Sequence, residues 1–231
     1  MKRWYKRAEA APAGGGFGVA LDGKPLHTPQ RTLVVAPTEA LARAIAGEWQ
    51  EQGETIAPAE MRLTRLAATA LDRIAPDPAN AVSELAGYAA TDLLCHRADG
   101  PDELRRRQDA AWQPVLDWAS QRYGAVLRVV EGVMPAAQPK AALEALNAAV
   151  AAFDPMPLSG LHGATTASGS LLLALALAEG WIDIDRAWEA ADLDEAWQRA
   201  QWGDDPLAAK RRAGLEADLR AAARFLELLK G

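Results

Sequence analysis

The side chains able to do covalent or acid–base chemistry are few, and they are scattered. Cys95 and His96 set a thiol beside an imidazole, the two groups a nucleophilic hydrolase would use. Neighbours on a helix point about 100° apart, so on a helix these two are poorly placed to activate each other. A zinc site needs about four ligands, and His27, His96 and His162 share no ligand spacing. Ser168-Gly169-Ser170 lacks the Gly-x-Ser-x-Gly flanks of a nucleophile elbow. Gly14-Gly15-Gly16 has neither dinucleotide-binding spacing nor a following Lys-Ser/Thr, and reads as a flexible loop. Asp92 and Asp117 remain as a general acid and base pair. Capping or ion pairing is the favoured reading of both, because nothing else in the sequence converges on them. No Walker A sequence is present, which argues against ATP hydrolysis by this chain.

Recognition chemistry is concentrated between Trp188 and Gly203. Trp188, Trp197 and Trp202 are three of the chain's eight tryptophans. No Pro or Gly interrupts the run before Gly203, so it predicts one helix with Gly203 as its stop. At about 100° per residue, Leu193, Trp197 and Ala200 share one face. Trp188, Glu195 and Trp202 are seven apart and fall on roughly the opposite face. A helix with one solvated side has no need of two aromatic faces, so either both are buried or one is a binding surface. Glu195 is open to two readings. It pairs with Arg199 at i+4, worth a few tenths of a kcal/mol, or it is framed by two indoles and aimed at a basic group on a partner. Trp202 is likewise a core tryptophan or an interface anchor.

These residues need elements to position them. Residues 1–36 read as β: Phe17, Val19 and Leu21 alternate, Asp22-Gly23 is a turn signal, Leu26 to Thr28 returns antiparallel, and Thr32 to Ala36 adds a short strand. From Pro37 onward the pattern is helical. Thr38 caps a helix carrying Leu41, Ile45 and Trp49, with Gly53 as its stop. Met61 to Ile74 is a second helix, and Pro76-Asp77-Pro78 is the clearest boundary in the chain. Helices then follow over residues 80–97, 101–123, 140–153 and 171–179, with Asp154-Pro155-Met156-Pro157 as a break. Asp205-Pro206 opens the last helix, whose apolar face is Leu215, Leu219, Ala222, Leu226 and Leu229. The architecture expected is α+β: a small N-terminal antiparallel β-rich domain, 1–76, followed by a larger all-helical domain, 77–231.

A 231-residue chain buries enough surface to need no disulfide or metal for its core. The net charge of −6 argues against nucleic acid and against an anionic membrane surface. Cys95 is the single cysteine, which fits a reducing compartment. No stretch of 18 apolar residues suits membrane insertion, and no signal core is visible at the N-terminus.

Leu193-Asp194-Glu195-Ala196-Trp197-Gln198, followed by Gln201-Trp202-Gly203, resembles a family signature. Arg3-Trp4-Tyr5-Lys6, Leu21-Asp22-Gly23-Lys24, Glu48-Trp49-Gln50-Glu51-Gln52, Leu63-Thr64-Arg65-Leu66 and Thr91-Asp92-Leu93-Leu94-Cys95 match further blocks, as does Gln108 with Trp112, Pro114, Leu116, Asp117 and Trp118. The family is the ATP synthase assembly chaperones that hold the free alpha subunit of the catalytic head, known as assembly factor two. The blocks run in the family's order across nearly the whole chain. Departures are small: Trp4 and Trp197 stand where a smaller aromatic is usual, Asp194 where Glu is usual, and His96 where Tyr is common. The resemblance implies a non-enzymatic chaperone without cofactor, metal or small-molecule substrate. Its partner would be the alpha subunit of F-type ATP synthase, met through Glu195, Trp202, Asp194, Gln198 and Trp188. The family's first block starts at Arg3, which leads us to expect a bacterial cytoplasmic protein. The alternatives are a small hydrolase using Asp92, Asp117 or Cys95, and a helical scaffold for an unrelated partner. On the reading without cofactors, metal analysis and an absorption spectrum of the purified protein should show neither stoichiometric zinc nor a visible chromophore; either one would overturn it.

Overall fold

A computed structural model describes residues 1–132 and 136–231. The chain folds as two compact units. One comprises Met1–Pro78, Asp154–Gly160 and Ala221–Gly231, and the other Ala79–Phe153 and Leu161–Arg220. A single boundary near Pro76 would place both returning segments in the helical domain; they belong instead to the N-terminal unit.

The first unit is built on a hairpin. Strands β1 (Ala8–Ala13) and β2 (Gly16–Leu21) pair antiparallel from Ala8↔Leu21 to Ala13↔Gly16. That register leaves Gly14 and Gly15 as a two-residue turn, with Gly15 at φ +87°, a conformation that favours glycine. The glycine run is therefore a tight turn with a defined register and not the loose loop expected. β3 (Lys24–Pro25) and β4 (Val35–Ala36) pair with the other edge of β2, one at each end. Asp22 and Gly23 form the β2–β3 turn, both at positive φ. The Asp22 carboxylate accepts from the backbone N–H groups of Lys6 and Arg7, and those donors hold its pKa below the ordinary value.

Val19 and Leu21 point from β2 into the core, against helix α1 (Glu39–Gln50). Thr38 caps α1 as expected, its Oγ accepting from Leu41 N at 3.2 Å. Leu41, Ala42 and Ile45 are fully enclosed. The helix ends at Gln50, short of the Gly53 stop. Helix α2 (Arg62–Thr69) runs on as a π-helical turn over Ala70–Ile74. Glu48 caps α2 from outside: its carboxylate accepts from Leu63 N, Thr64 N and Thr64 Oγ at 2.7–2.8 Å. Phe225 from the returning C-terminal segment is fully buried in this same core.

The second unit is helical, with one short parallel pair. Its elements are α3 (Pro78–Tyr88), β5 (His96–Arg97), α4 (Asp102–Tyr123), β6 (Val130–Glu131), α5 (Lys140–Ala151), α6 (Pro155–Ser168), α7 (Leu171–Glu179), α8 (Ile184–Ala191), α9 (Leu193–Trp202) and α10 (Pro206–Leu228). Strand β5 pairs with β6. α6 and α10 each contribute residues to both units. α7 is buried over its first eight residues, capped by Ser170 Oγ on Leu173 N and stopped by Gly180 at φ +74°.

Three sequence expectations need correction here. The helix expected over 80–97 ends at Tyr88, because the Asp92 carboxylate caps a new turn at Leu94. The Asp154–Pro157 break is instead the start of α6, with Pro155 in its first turn, where a missing N–H costs nothing. The run from Trp188 to Gly203 is two helices, not one, broken at Asp192.

Asp92 ties the second unit together. It is fully buried, and it accepts from Ser170 Oγ at 2.7 Å, Leu94 N at 3.0 Å and Leu172 N at 3.2 Å. Burial pushes its pKa up to about 6 against the opposing pull of these donors. Below about pH 4 the carboxyl is protonated in both folded and unfolded chains. Between pH 4 and 6 the unfolded chain ionises first, so this group removes stability as pH rises, by about 3 kcal/mol in all. Asp92→Asn lacks that titration. Its stability relative to the parent, measured by denaturant unfolding, should rise by about that amount between pH 4 and pH 7; parallel curves for the two proteins would refute the assignment.

Candidate functional site

The site is assembled by α4. Gln108 is buried, accepts from Ala98 N at 2.8 Å, and donates through Nε2 to Asp194 Oδ1 at 2.7 Å. One turn on, Trp112 is also buried and donates through Nε1 to the carbonyl of Ala190 at 2.8 Å. Its ring lies under the Arg97 guanidinium, 5.1 Å from the centroid. These two side chains hold the end of α8 and the start of α9. Their sequence block therefore positions the site without facing a partner.

Between the two helices sits Asp192. It is buried, and its carboxylate accepts from Arg199 at 3.0 Å and from Arg212 Nε at 2.8 and 2.9 Å. The Arg212 guanidinium also lies 5.6 Å above the Trp188 ring. Arg199 is thereby committed to Asp192, and it does not form the i,i+4 pair with Glu195. Glu195 is exposed, and no cation pairs with it among the described residues. Asp194, half-buried, keeps only the neutral Gln108 donor. Burial raises its pKa, the adjacent Glu195 charge adds to the rise, and Arg97 opposes it.

A groove of about 650 Å³ opens beside α9. Asp194, Glu195 and Gln198 line it from α9, Arg211 and Leu215 from α10, and Trp188 from α8. Four of the five expected site residues thus come together. Trp202 does not line this groove; it stands 79% exposed at the end of α9. Glu195 and Trp202 lie two turns apart on α9 and share a face. Trp188 lies beyond the break at Asp192, buried beneath Arg212, so the expected pair of solvent-facing indoles around Glu195 is reduced to one.

The residues considered for hydrolysis do not converge. Asp92 is enclosed and occupied by its donors, while Asp117 is exposed on α4 and accepts from Gln113 at 2.8 Å. Cys95 is fully buried in a single turn before β5, and burial, then the neighbouring Asp92 charge, push its thiol up to about 12. A thiol so placed is inert at neutral pH. No group of three or more His, Cys, Asp or Glu side chains is placed to hold a metal ion among the described residues.

Sequence reasoning missed Asp192 and Arg212. A signal existed: Asp192-x-x-Glu195 has the acid-x-x-acid spacing that marks a helix start, and the uninterrupted apolar pattern masked it.

The ATP12 chaperone protein family matches residues 2–120 of this chain. The fold is also shared with solved structures over 99% of the chain. A candidate chaperone of Agrobacterium tumefaciens is 44% identical, with 86% of its own length covered and a TM-score of 0.93. Atp12 of Paracoccus denitrificans is 40% identical, with 98% of its length covered and a TM-score of 0.91. A lysine-for-aspartate variant of that Paracoccus protein gives the same identity and TM-score, with 97% covered. On the family match and the 40–44% identity across its length, the chain belongs to the ATP12 chaperone family.

Proposed function

We propose that the protein is a non-enzymatic assembly chaperone that holds the free alpha subunit of the F-type ATP synthase until the beta subunit docks. One observation carries the reading at the level of the site. On α9 an exposed carboxylate in no ion pair among the described residues, Glu195, shares a face with Trp202, the most exposed tryptophan of the described chain. A charge and an aromatic left in that state are the parts of an interface awaiting its other half. Asp194, Gln198 and Trp188 complete the surface from within the groove.

The physical logic is that of a holder. An isolated alpha subunit exposes an apolar face meant for beta, and such faces aggregate. Covering it takes aromatic and aliphatic surface, with a few charges for selectivity. Beta then displaces the chaperone by binding the same face more tightly, so no nucleotide hydrolysis is needed. The bacterial cytoplasm is where such a holder would meet newly made subunits.

The first test is client choice. On dilution from denaturant, the protein should suppress light scattering by alpha at near-stoichiometric amounts and do little for beta. Equal protection of both would point to generic adsorption.

A second test addresses Glu195. Because it has no partner to lose, Glu195→Gln should leave the thermal melt unchanged. Holding of alpha should weaken by about thirty-fold or more, as expected when one side of a desolvated interfacial charge pair is lost, roughly 2–5 kcal/mol. An unchanged melt with unchanged binding would remove Glu195 from the interface, and a collapsed melt would make it structural.

A further inference from the structure

The groove beside α9 has two walls of opposite charge, and both are unsatisfied. On the α9 wall, Asp194 and Glu195 have no cation paired with them among the described residues. The other arginines near these acids are engaged elsewhere: Arg199 and Arg212 are bound to Asp192, and Arg97, which acts on Asp194 only at a distance, is bound to Asp109. On the α10 wall, Arg211 is exposed, and it has neither hydrogen bond nor ion pair among the described residues. Arg211 and Arg212 are adjacent in sequence but act differently. Both line the groove, but Arg212 is bound to Asp192 and lies over Trp188, whereas Arg211 is in no ion pair among the described residues. The lining also includes apolar groups, Leu93, Ala167 and Leu215.

We infer that Arg211 is a specificity-determining residue: it receives an acidic side chain of the client subunit while Glu195 and Asp194 receive a basic one, which fixes the direction in which the client segment lies in the groove. The inference rests on the chaperone reading above and deepens it by naming the occupant's chemistry. That occupant is a segment of the client with a basic group and an acidic group separated by an apolar one.

Charge complementarity carries the argument. A groove with a single sign of charge attracts any segment of the opposite sign, in either direction. A groove with acid on one wall and base on the other discriminates against the reversed segment, since reversal brings like charges together on both walls at once. Arg212 and Asp192, which also line the groove, pair with each other, but Arg211 on α10 and Asp194 and Glu195 on α9 form no ion pair across it among the described residues. The native protein thus keeps both charges in water until a client removes them from it.

The experiment measures affinity for purified alpha subunit with Arg211→Glu, Arg211→Lys and Glu195→Gln beside the parent, each with a thermal melt. Arg211 has no internal partner among the described residues, so all melts should coincide. Arg211→Glu should weaken holding by about ten-fold or more, and Arg211→Lys should retain most of it. The loss in Arg211→Glu should shrink as salt is raised toward about 1 M, because like-charge repulsion at an exposed wall is screened. If Arg211→Glu binds as the parent does while Glu195→Gln loses affinity, the inference falls and the chaperone reading stands. If both bind as the parent does, the groove is not the client site and the inference falls; the chaperone reading falls only if the parent itself fails to hold alpha. Equal losses in Arg211→Glu and Arg211→Lys would show that shape and not charge is read, which also overturns the inference. Sedimentation of the protein alone covers the remaining occupant. Self-association that Arg211→Glu abolishes, with client holding intact, would assign the groove to a second copy of this chain and overturn the proposal.

Discussion

The arrangement of the candidate site depends on one buried carboxylate. Asp192 sits where α8 ends and α9 begins, and it draws in Arg199 from α9 and Arg212 from α10. Burying a carboxylate is costly unless it is paired, and here two arginines pair with it. The consequence for the surface is indirect. Two arginines that would otherwise neutralise the acids of α9 are held beneath it. Glu195 stays unpaired because Asp192 is paired twice. The exposed charge pattern is therefore tied to a buried carboxylate and not to the surface acids alone.

The α4 contacts follow the same division. Gln108 holds Asp194 with a neutral amide, fixing the carboxylate's position without cancelling its charge. A lysine or arginine there would hold it as firmly and silence it. Trp112 anchors the carbonyl of Ala190 and carries Arg97 on its face, so the rigid side of the site is aromatic and buried. Positioning is done from α4, and under the proposed function recognition would fall to α9 and α10.

Much of the fold is legible in the sequence where local chemistry dictates it. Alternation in β2, the Asp22-Gly23 turn, the Thr38 cap and the Gly180 stop of α7 each depend on residues within one turn or hairpin. The failures share a different cause. Helix periodicity runs unbroken through Asp192, yet the helix is interrupted there, where the backbone sits at φ −91° and the carboxylate meets Arg212, twenty residues away. Tyr88 ends α3 because Asp92 is claimed by Ser170 and Leu172, about eighty residues on. Long-range partners override periodicity, and a local pattern carries no record of them. At the site, the sequence identifies the residue types but not their neighbours. The local alternative for Glu195 fails because its natural i+4 partner, Arg199, is drawn to Asp192, and Trp188 becomes a buried wall.

What the chain does not expose bears on function as much as what it does. Its thiol is enclosed and held protonated, and its buried Asp92 carboxylate is occupied by backbone and hydroxyl donors. Under the proposed function the groups that would meet a partner are Glu195, Trp202 and Arg211 on α9 and α10, none placed to activate another. Binding through a few such groups has a physical corollary. Affinity is concentrated in a small patch, so a competitor with a larger complementary interface can displace the holder without chemical work. A chaperone that must yield its client to a permanent neighbour is served by that arrangement, since tighter or covalent capture would compete with the assembly it supports.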